Sequence, residues 1–397
     1  MTHRIKTRQS VISFSNDTIQ KVFRSTRNNR LSSVEHEVYC IEKFSCRGTN
    51  IHSPNIIESD NKSYIMERYD FPLGILTKLD GNFVRRMLFT IPIDEVMRQL
   101  NRIRDILKEK EIRHRDVNPG NLLFSEKEKA IKLIDFFWAE TDGRKIREPV
   151  QLNIRYGTND EKALETIKQE IRRIDRDLQK KINEDWKPHI QKLGVRYYDG
   201  SSSKPGRTFH KLDIPCLNFV PFQRNIELEY QAIINSMSIV PKTVMDIGCS
   251  AGYYLFNMMR RFRLRRVIGY EADPVLFGLL TKIRSTFNLT ELNLFTKVNS
   301  ETEFEPVDIV ICMNVHMWLQ ERMGKEKTDQ LLRKLIQGSK ELYFQTAGRE
   351  SFGRVTIKEL SNKDIIMDFL HDLGASQVSP IHITELKGRR RYLFKVE

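Results

Sequence analysis

The chain holds 397 residues, 40% hydrophobic and 30% charged, with a formal charge of +14 and five cysteines. That length suits two or three domains, and no apolar run approaches the ~18 residues that span a bilayer, so no membrane span is expected. Nothing apolar follows the basic start Met1–Arg8 as a secretory signal would require, and the scattered Cys40, Cys46, Cys216, Cys249 and Cys312 lack Cys-x-x-Cys spacing, which excludes a disulfide scaffold and a zinc ribbon and predicts a reduced, cytoplasmic setting.

From the N-terminus, Ser10–Phe14 and Thr18–Phe23 alternate apolar and polar residues around Asn16-Asp17, which predicts a β-hairpin. Val34, Val38, Ile41 and Phe44 fall at helical spacing behind Ser32 or Ser33 as N-cap, which predicts a helix over 31–44. Ile56-Ile57 and Ser63–Glu67 read as two strands. Val96, Leu100, Ile103 and Leu107 form one stripe of an amphipathic helix over 93–110, and strands at 121–124 and 130–134 follow across a charged turn. In 158–193, Leu164, Ile167, Ile171, Ile174, Leu178 and Ile182 step by three and four with charge between them. This predicts one long helix, packed within the chain or paired with a second copy as a short coiled coil. It ends near Lys187-Pro188, ahead of the polar loop Gly200–Gly206.

From 226 the pattern reads helix, strand 243–247, helix, strand 266–271, helix, strands 292–297 and 307–313, helix 325–337 and strand 341–345. Apolar strands alternating with helices predict a parallel, doubly wound sheet. Ile381–Leu386 and Arg391–Phe394 read as an antiparallel pair at its edge, with Lys387–Arg391 at the turn.

The densest chemistry lies in His114-Arg115-Asp116-Val117-Asn118-Pro119-Gly120-Asn121, followed fourteen residues later by Asp135 in Ile131-Lys132-Leu133-Ile134-Asp135-Phe136-Phe137. Asp116, Asn121 and Asp135 fall at the spacing of the base and the two metal holders of a phosphoryl-transfer site. Asp116 would accept the hydroxyl proton, and Asn121 and Asp135 would hold Mg²⁺. Lys21, in the second hairpin strand, is the candidate cation for the phosphates of ATP. Glu37 on the next helix is its candidate partner, with Glu35 as competitor. A surface lysine and a solvated glutamate are the plainer reading of that pair. Glu67 to Tyr69, after a strand, would line the adenine pocket through backbone groups.

These residues resemble the protein-kinase-like superfamily over about residues 10–160. This chain departs from it in several places: no Gly-x-Gly-x-x-Gly precedes Lys21, Phe137 replaces the Gly of Asp-Phe-Gly, Asn118 stands where serine/threonine kinases carry Lys, and no Ala-Pro-Glu follows. The pattern is similar to compact kinases acting on small molecules or glycans, with Asn159-Asp160 standing in for a buried anchor Asp. An inactive, ATP-binding form is the alternative the resemblance leaves open.

A second constellation is Val244-Met245-Asp246-Ile247-Gly248-Cys249-Ser250-Ala251-Gly252, between a predicted strand and helix, with Glu271 at the end of the next strand. Glycines let a backbone approach a ligand closely, a helix N-terminus suits a carboxylate, and an acid at that distance can accept two ribose hydroxyls. A dinucleotide fold is the rival, opposed by the missing Gly-x-Gly-x-x-Gly. The residues resemble class I S-adenosylmethionine-dependent methyltransferases over about 196–397. The resemblance implies Gly248, Gly252 and Glu271 for S-adenosylmethionine, Asp246 for shaping the loop, and Asn299 for the adenine edge. Asn314, within Asp308–Trp318, falls in the region that borders the acceptor. His316 is the candidate base, or else a packed histidine. Tyr198, His210 and Arg224 precede the domain and could cover the acceptor. The basic run Arg260–Arg266 either faces an anionic acceptor or simply suits a helix end.

The expected fold is therefore an α+β kinase-like domain (1–157), a helical linker (158–195) and an α/β Rossmann-like methyltransferase domain (196–397). The pairing is similar to bacterial kinase–methyltransferases of surface polysaccharide synthesis, with the domain order reversed. The resemblance implies ATP-dependent phosphorylation plus methylation of a glycan or other small hydroxyl or phosphate acceptor. The charge leaves two alternatives, an RNA methyltransferase with a kinase-like arm and a non-catalytic ATP-sensing scaffold.

Overall fold

A computed structural model describes residues 3–6, 10–14, 18–23, 34–45, 51–59, 63–67, 69–75, 78–141, 156–186, 212–216, 226–346, 362–386 and 389–397. The Asn16-Asp17 turn, the Gly200–Gly206 loop, Tyr198, His210, Arg224 and Lys387-Gly388 lie outside the described residues. The chain divides into two compact units, Met1–Gln179 and Lys180–Glu397.

In the first unit, β1 (His3–Lys6), β2 (Ser10–Phe14) and β3 (Thr18–Phe23) are followed by α1 (Val34–Ser45), β4 (Ile56–Ser59) and β5 (Ser63–Glu67). The strands make an antiparallel sheet in the order β1-β2-β3-β5-β4. Strand alternation sends Ile19 and Lys21 of β3, and Tyr64 and Met66 of β5, to the buried side. Lys21 and Tyr64 are partners in register. Buried residues of α1, among them Glu37, Val38, Ile41 and Phe44, recur at helical spacing.

Short strands β6 (Phe71–Pro72), β7 (Gly74–Ile75) and β8 (Lys78–Leu79) lead into α2 (Gly81–Thr90) and α3 (Ile93–Glu109). The Asp80 side chain caps α2 by accepting the Asn82 N–H at 2.7 Å. Then come β9 (Leu122–Ser125), β10 (Ala130–Leu133) and α4 (Asp160–Lys181). β6, β9 and β10 form a second antiparallel sheet, which carries the loop 113–121 at one end and Asp135 at the other. Val96, Leu100, Ile103 and Leu107 of α3 are all buried, as are Ala163, Leu164, Ile167, Ile171 and Leu178 of α4. The stripe on α4 thus packs within the chain, and Lys168 reaches Asn101 at 3.0 Å.

In the second unit, α5 (Glu227–Ser236), β11 (Thr243–Ile247), α6 (Tyr253–Arg261), β12 (Arg266–Tyr270), α7 (Pro274–Thr286) and β13 (Leu292–Phe295) come first. They are followed by β14 (Val307–Met313), α8 (His316–Met323), α9 (Lys325–Gln337), β15 (Ser339–Gln345), α10 (Lys363–Asp372), β16 (Val378–Leu386) and β17 (Arg389–Val396). One mixed sheet runs β13-β12-β11-β14-β15-β17-β16. Its first five strands are parallel, and β17 is antiparallel to both β15 and β16. Met245, Ile247, Val310, Cys312, Leu342 and Phe344 form one face of the core with Leu331, Leu335 and Leu370. Each such buried aliphatic chain contributes ~2 kcal/mol over its exposed state. Successive strands step one way from β11 to β13 and the other way from β14 to β15. Sheets of this kind bind ligands outside the carboxyl ends of the strands where that reversal occurs, here after Ile247 and Met313.

Candidate active sites

In the first unit β3 and α1 bring Lys21 and Glu37 together in the interior. The Lys21 Nζ donates to both Glu37 oxygens at 3.1 Å and to Asp135 Oδ1 at 2.6 Å. The Tyr64 hydroxyl donates to Glu37 Oε1 at 3.0 Å. Burial works against the Lys21 charge, but Asp135 and Glu37 outweigh it and hold the ammonium well above the ordinary lysine range. Glu37 is pushed up to about 7 because burial exceeds what the shared ammonium returns. For Asp135 burial is likewise opposed by Lys21, and here the ammonium wins and holds the carboxyl below its usual range. Glu35, by contrast, is exposed.

The loop 113–121 is fixed by backbone contacts. Asp160, the first residue of α4, accepts the N–H of His114 at 2.6 Å and of Arg115 at 2.8 Å. The Arg115 guanidinium donates to Glu140 at 2.8 Å, and His114 Nε2 donates to the Ile134 carbonyl at 2.9 Å. Two residues here hold left-handed backbone, Arg115 (φ 66°) and Asp135 (φ 63°), which suits a site held by its surroundings. Asn121 Nδ2 donates to Asp116 Oδ2 at 3.1 Å, and the Asn121 carbonyl accepts the Ile134 N–H at 3.0 Å, one residue before Asp135. Burial raises Asp116 above the ordinary carboxylate range, and the charge of Asp135 adds to it while His114 and the two asparagine amides oppose it. A raised carboxylate is a better proton acceptor.

Glu67 and Tyr69 lie apart from this cluster. The Glu67 N–H donates to the Asn55 carbonyl at 3.0 Å, and Asn55 Nδ2 donates to the Glu67 carboxylate at 2.9 Å. The Tyr69 hydroxyl accepts the Asn55 N–H at 2.7 Å, and its ring lies under Lys132 Nζ, 5.3 Å from the centroid. The expectation that the Glu67 N–H faces a nucleotide base is therefore corrected: that donor is already engaged in holding β5 to the segment before β4.

In the second unit the loop after β11 is built from backbone. The N–H groups of Gly248 and Cys249 both donate to the Tyr270 carbonyl, at 2.8 and 2.9 Å. Glu271 accepts the Ser250 N–H at 2.7 Å and the Asp273 N–H at 2.7 Å. Gly248 (φ 73°) and Gly252 (φ 82°) require left-handed backbone. A Cβ at Gly248 would meet Val315 Cγ2 at 2.7 Å, and one at Gly252 would meet Phe256 Cε2 at 2.7 Å and Leu280 Cδ2 at 2.8 Å. The room above both glycines is thus filled by protein side chains, which corrects the expectation that a ligand needs that room.

Asp246 carries the clearest signal of an absent partner. It is 1% exposed, its Oδ2 has no hydrogen-bond partner, and burial, with the Glu271 charge, holds it well above the carboxylate range. An unpaired buried carboxylate oxygen is costly. Asn314, in left-handed backbone (φ 56°) just past β14, donates to Gln345 Oε1 at 2.5 Å, and Arg391 Nη1 donates to its Oδ1 at 3.5 Å. Asn299 is exposed, and its Oδ1 accepts from Thr302 Oγ1 at 2.8 Å and from the Glu301 N–H at 3.1 Å, so its acceptor serves its own turn.

Two expectations are overturned here. His316 is wholly buried between the rings of Phe344 and Phe369, at 5.6 and 5.5 Å, with Gln320 Nε2 at 3.4 Å and its Nδ1 unpartnered. Burial lowers it to about 4. It is a packed, neutral imidazole without access to a substrate proton, so the assignment as base fails. The basic run does not face the crevice either. Arg260 is buried against Asp213 at 3.1 Å, and Arg266 opens β12 at its amino end and pairs with Glu305, whereas Glu271 follows the carboxyl end.

Sequence reasoning missed Tyr64, Val315 and Gln345. Tyr64 alternates inward with Met66 and was open to detection; the other two depend on contacts made only in the folded sheet. Among the described residues, no group of three or more His, Cys, Asp or Glu side chains is arranged to hold a metal, and no helix is long and apolar enough to cross a membrane.

No family model matches the chain, and no curated protein matches it. Among solved structures, the bifunctional kinase-methyltransferase WbdD matches at a TM-score of 0.36 and 12% identity, over 44% of this chain and 40% of that chain. The chain thus spans well under half the length of that protein. Magnesium protoporphyrin IX methyltransferase (ChlM) from Synechocystis PCC 6803 with bound SAM matches at 0.34 and 14% identity, over 43% of this chain and 76% of that one. A SAM dependent methyltransferase from Aquifex aeolicus matches at 0.33 and 14% identity, over 44% and 93%. At these levels of likeness the functional argument stands on the residues themselves.

Proposed function

We propose that the chain is a two-site transferase that phosphorylates and methylates a small hydroxyl- or phosphate-bearing acceptor, of which a glycan is the favoured class. The observation that carries the reading is the Lys21 ammonium joined to both Glu37 and Asp135, beside an Asp116 held by Asn121. A buried lysine shared by two acids from separate elements grips phosphates when one acid turns to a metal.

The donor set fits magnesium: Asn121 offers a carboxamide oxygen and Asp135 a carboxylate, both hard oxygen ligands, and Mg²⁺ takes one or two such groups plus substrate phosphates. Bound Mg-ATP would supply the phosphoryl group and neutralise the charge that develops on it. Lys21 would hold the non-transferred phosphates, with Glu37 fixing its ammonium. Asp116 would take the proton of the acceptor hydroxyl as the oxygen attacks.

In the second unit the unpartnered Asp246 Oδ2 supports a ligand carrying a cation or N–H donor, and the crevice beside β11 and β14 is the place for it. S-adenosylmethionine, a sulfonium with an α-ammonium, has that chemistry and would supply the methyl group. Glu271 keeps acceptor capacity for ribose hydroxyls beyond its two N–H contacts. Positioning is the main demand of an in-line displacement, and with His316 excluded the acceptor must arrive already deprotonated or anionic. Buried free thiols at Cys40, Cys216, Cys249 and Cys312 agree with a reducing, cytoplasmic setting.

The test is mass spectrometry of a host extract incubated with the full chain, ATP and methyl-labelled S-adenosylmethionine. The expected result is a product that gains both groups. Gain of a methyl group alone, with no ATP consumed, would reduce the proposal to its second half.

A further inference from the structure

We infer that Asn118 is a positioning residue of the first site, whose single carboxamide holds the Asp116 carboxylate at one end and the turn that carries Asn121 at the other. Its activity test rests on the phosphoryl-transfer reading; its geometry does not. Asn118 is extended (φ −146°, ψ 166°), as a residue before proline prefers. Its Oδ1 accepts the N–H of Gly120 at 2.8 Å and of Asn121 at 3.2 Å, which caps the turn Pro119–Asn121. Its Nδ2 points the other way and donates to Asp116 Oδ1 at 2.9 Å and to the Asp116 carbonyl at 3.1 Å. Asn121 Nδ2 takes the second carboxylate oxygen at 3.1 Å and the same carbonyl at 2.8 Å.

Each oxygen of Asp116 therefore receives one amide, which fixes the plane of the carboxylate against the metal-holding side chain. Each oxygen also keeps a lone pair free for a substrate proton. At 7% exposure, water cannot readily replace the Asn118 contacts. The residue type is dictated by this double task. An aspartate would keep the cap but set a like charge against Asp116; a lysine would offer a donor but no cap; an alanine would offer neither. In the reaction, the acceptor oxygen forms a bond to the γ-phosphorus, the bond from that phosphorus to the departing ADP oxygen breaks, and the hydroxyl proton passes to Asp116. A carboxylate turned by even about 1 Å would cost ~100-fold in such a step.

The experiment compares the full chain with Asn118→Asp, Asn118→Ala and Asp116→Ala for ATP turnover in Mg²⁺. Asn118→Asp should lose ~100-fold in kcat, keep KM for ATP within about threefold and keep its melting temperature, because the cap survives. Asn118→Ala should lose both kcat and melting temperature. Full kcat in Asn118→Asp would overturn the inference and leave Asn118 a cap. If the unmodified chain turns ATP over no faster than Asp116→Ala, the phosphoryl reading itself fails. The positioning contact is then read from the Asn118 side-chain amide signals in a nitrogen–proton correlation spectrum. They should move upfield in Asp116→Ala, and signals that stay in place would overturn it whatever the activity.

Discussion

The first unit builds its site from charges, the second from backbone. Lys21, Glu37, Asp135 and Asp116 come from a strand, a helix, a turn and a loop, and they meet through side-chain contacts of 2.6–3.1 Å or through their fields. In the second unit the loop after β11 is held by the Tyr270 carbonyl and by N–H groups donated to Glu271, with one acid, Asp246, left unmatched. The contrast follows the chemistry. Moving a phosphoryl group needs opposite charges held close against their own repulsion, whereas moving a methyl group from a sulfonium needs shape and alignment.

The largest expected effect would break the comparison if it failed. Asp116→Ala should lower phosphoryl transfer by roughly 10²–10⁴-fold and leave methylation of a simple acceptor measurable; loss of both together in parallel assays would mean that the two regions do not act separately. Next in size is a pH effect confined to the second unit. Folded His316 titrates at about 4, while the unfolded residue takes a proton near 6.5. Stability should therefore be complete above about pH 6.5 and fall by about 3 kcal/mol as pH drops to about 4. His316→Phe should flatten that slope in urea titrations, and an unchanged slope would place the acid sensitivity elsewhere.

Gly248→Ala should cost about 2 kcal/mol through its left-handed backbone and the clash with Val315. Chemical denaturation should register this loss while ATP affinity stays unchanged. Smallest, and most telling for the backbone-built site, is Asp246→Asn. It removes a buried charge, so the free protein should be no less stable, yet S-adenosylmethionine should bind about tenfold more weakly by calorimetry. Glu271→Ala should weaken binding in the same assay. Unchanged affinity in both would remove the cofactor assignment.

Much of the fold was legible because periodicity reports burial. The hairpin of β2 and β3, the stripe on α3 and the alternating strands and helices of the second unit all announce themselves by spacing. Helices α2, α8 and α10 were missed. Helix α2 opens with Gly81-Asn82 and has no acid in its first turn, so its only local sign is the Asp80 cap. Helix α8 starts two residues after Asn314, where His316 looked like an exposed pocket residue rather than the first buried turn of a helix. Asp116, Asn121 and Asp135 were readable because phosphoryl chemistry fixes their separation along a short β-hairpin. Asp160 acts 45 residues away from the loop it secures, and Val315 fills the space over Gly248 only once β11 and β14 are neighbours. Contacts of that kind belong to topology, which local spacing does not encode.

Among the described residues, four without glycine's freedom sit in left-handed backbone inside the two sites: Arg115, Asp135, Ser250 and Asn314. Conformations of this kind cost about 1 kcal/mol or more each. Glycine at any of the four should therefore raise the melting point while loosening the groups it was meant to aim. A selection for heat resistance alone would favour such replacements, and a selection for turnover would reject them. The places where those two selections disagree would trace both reaction centres without any substrate in hand.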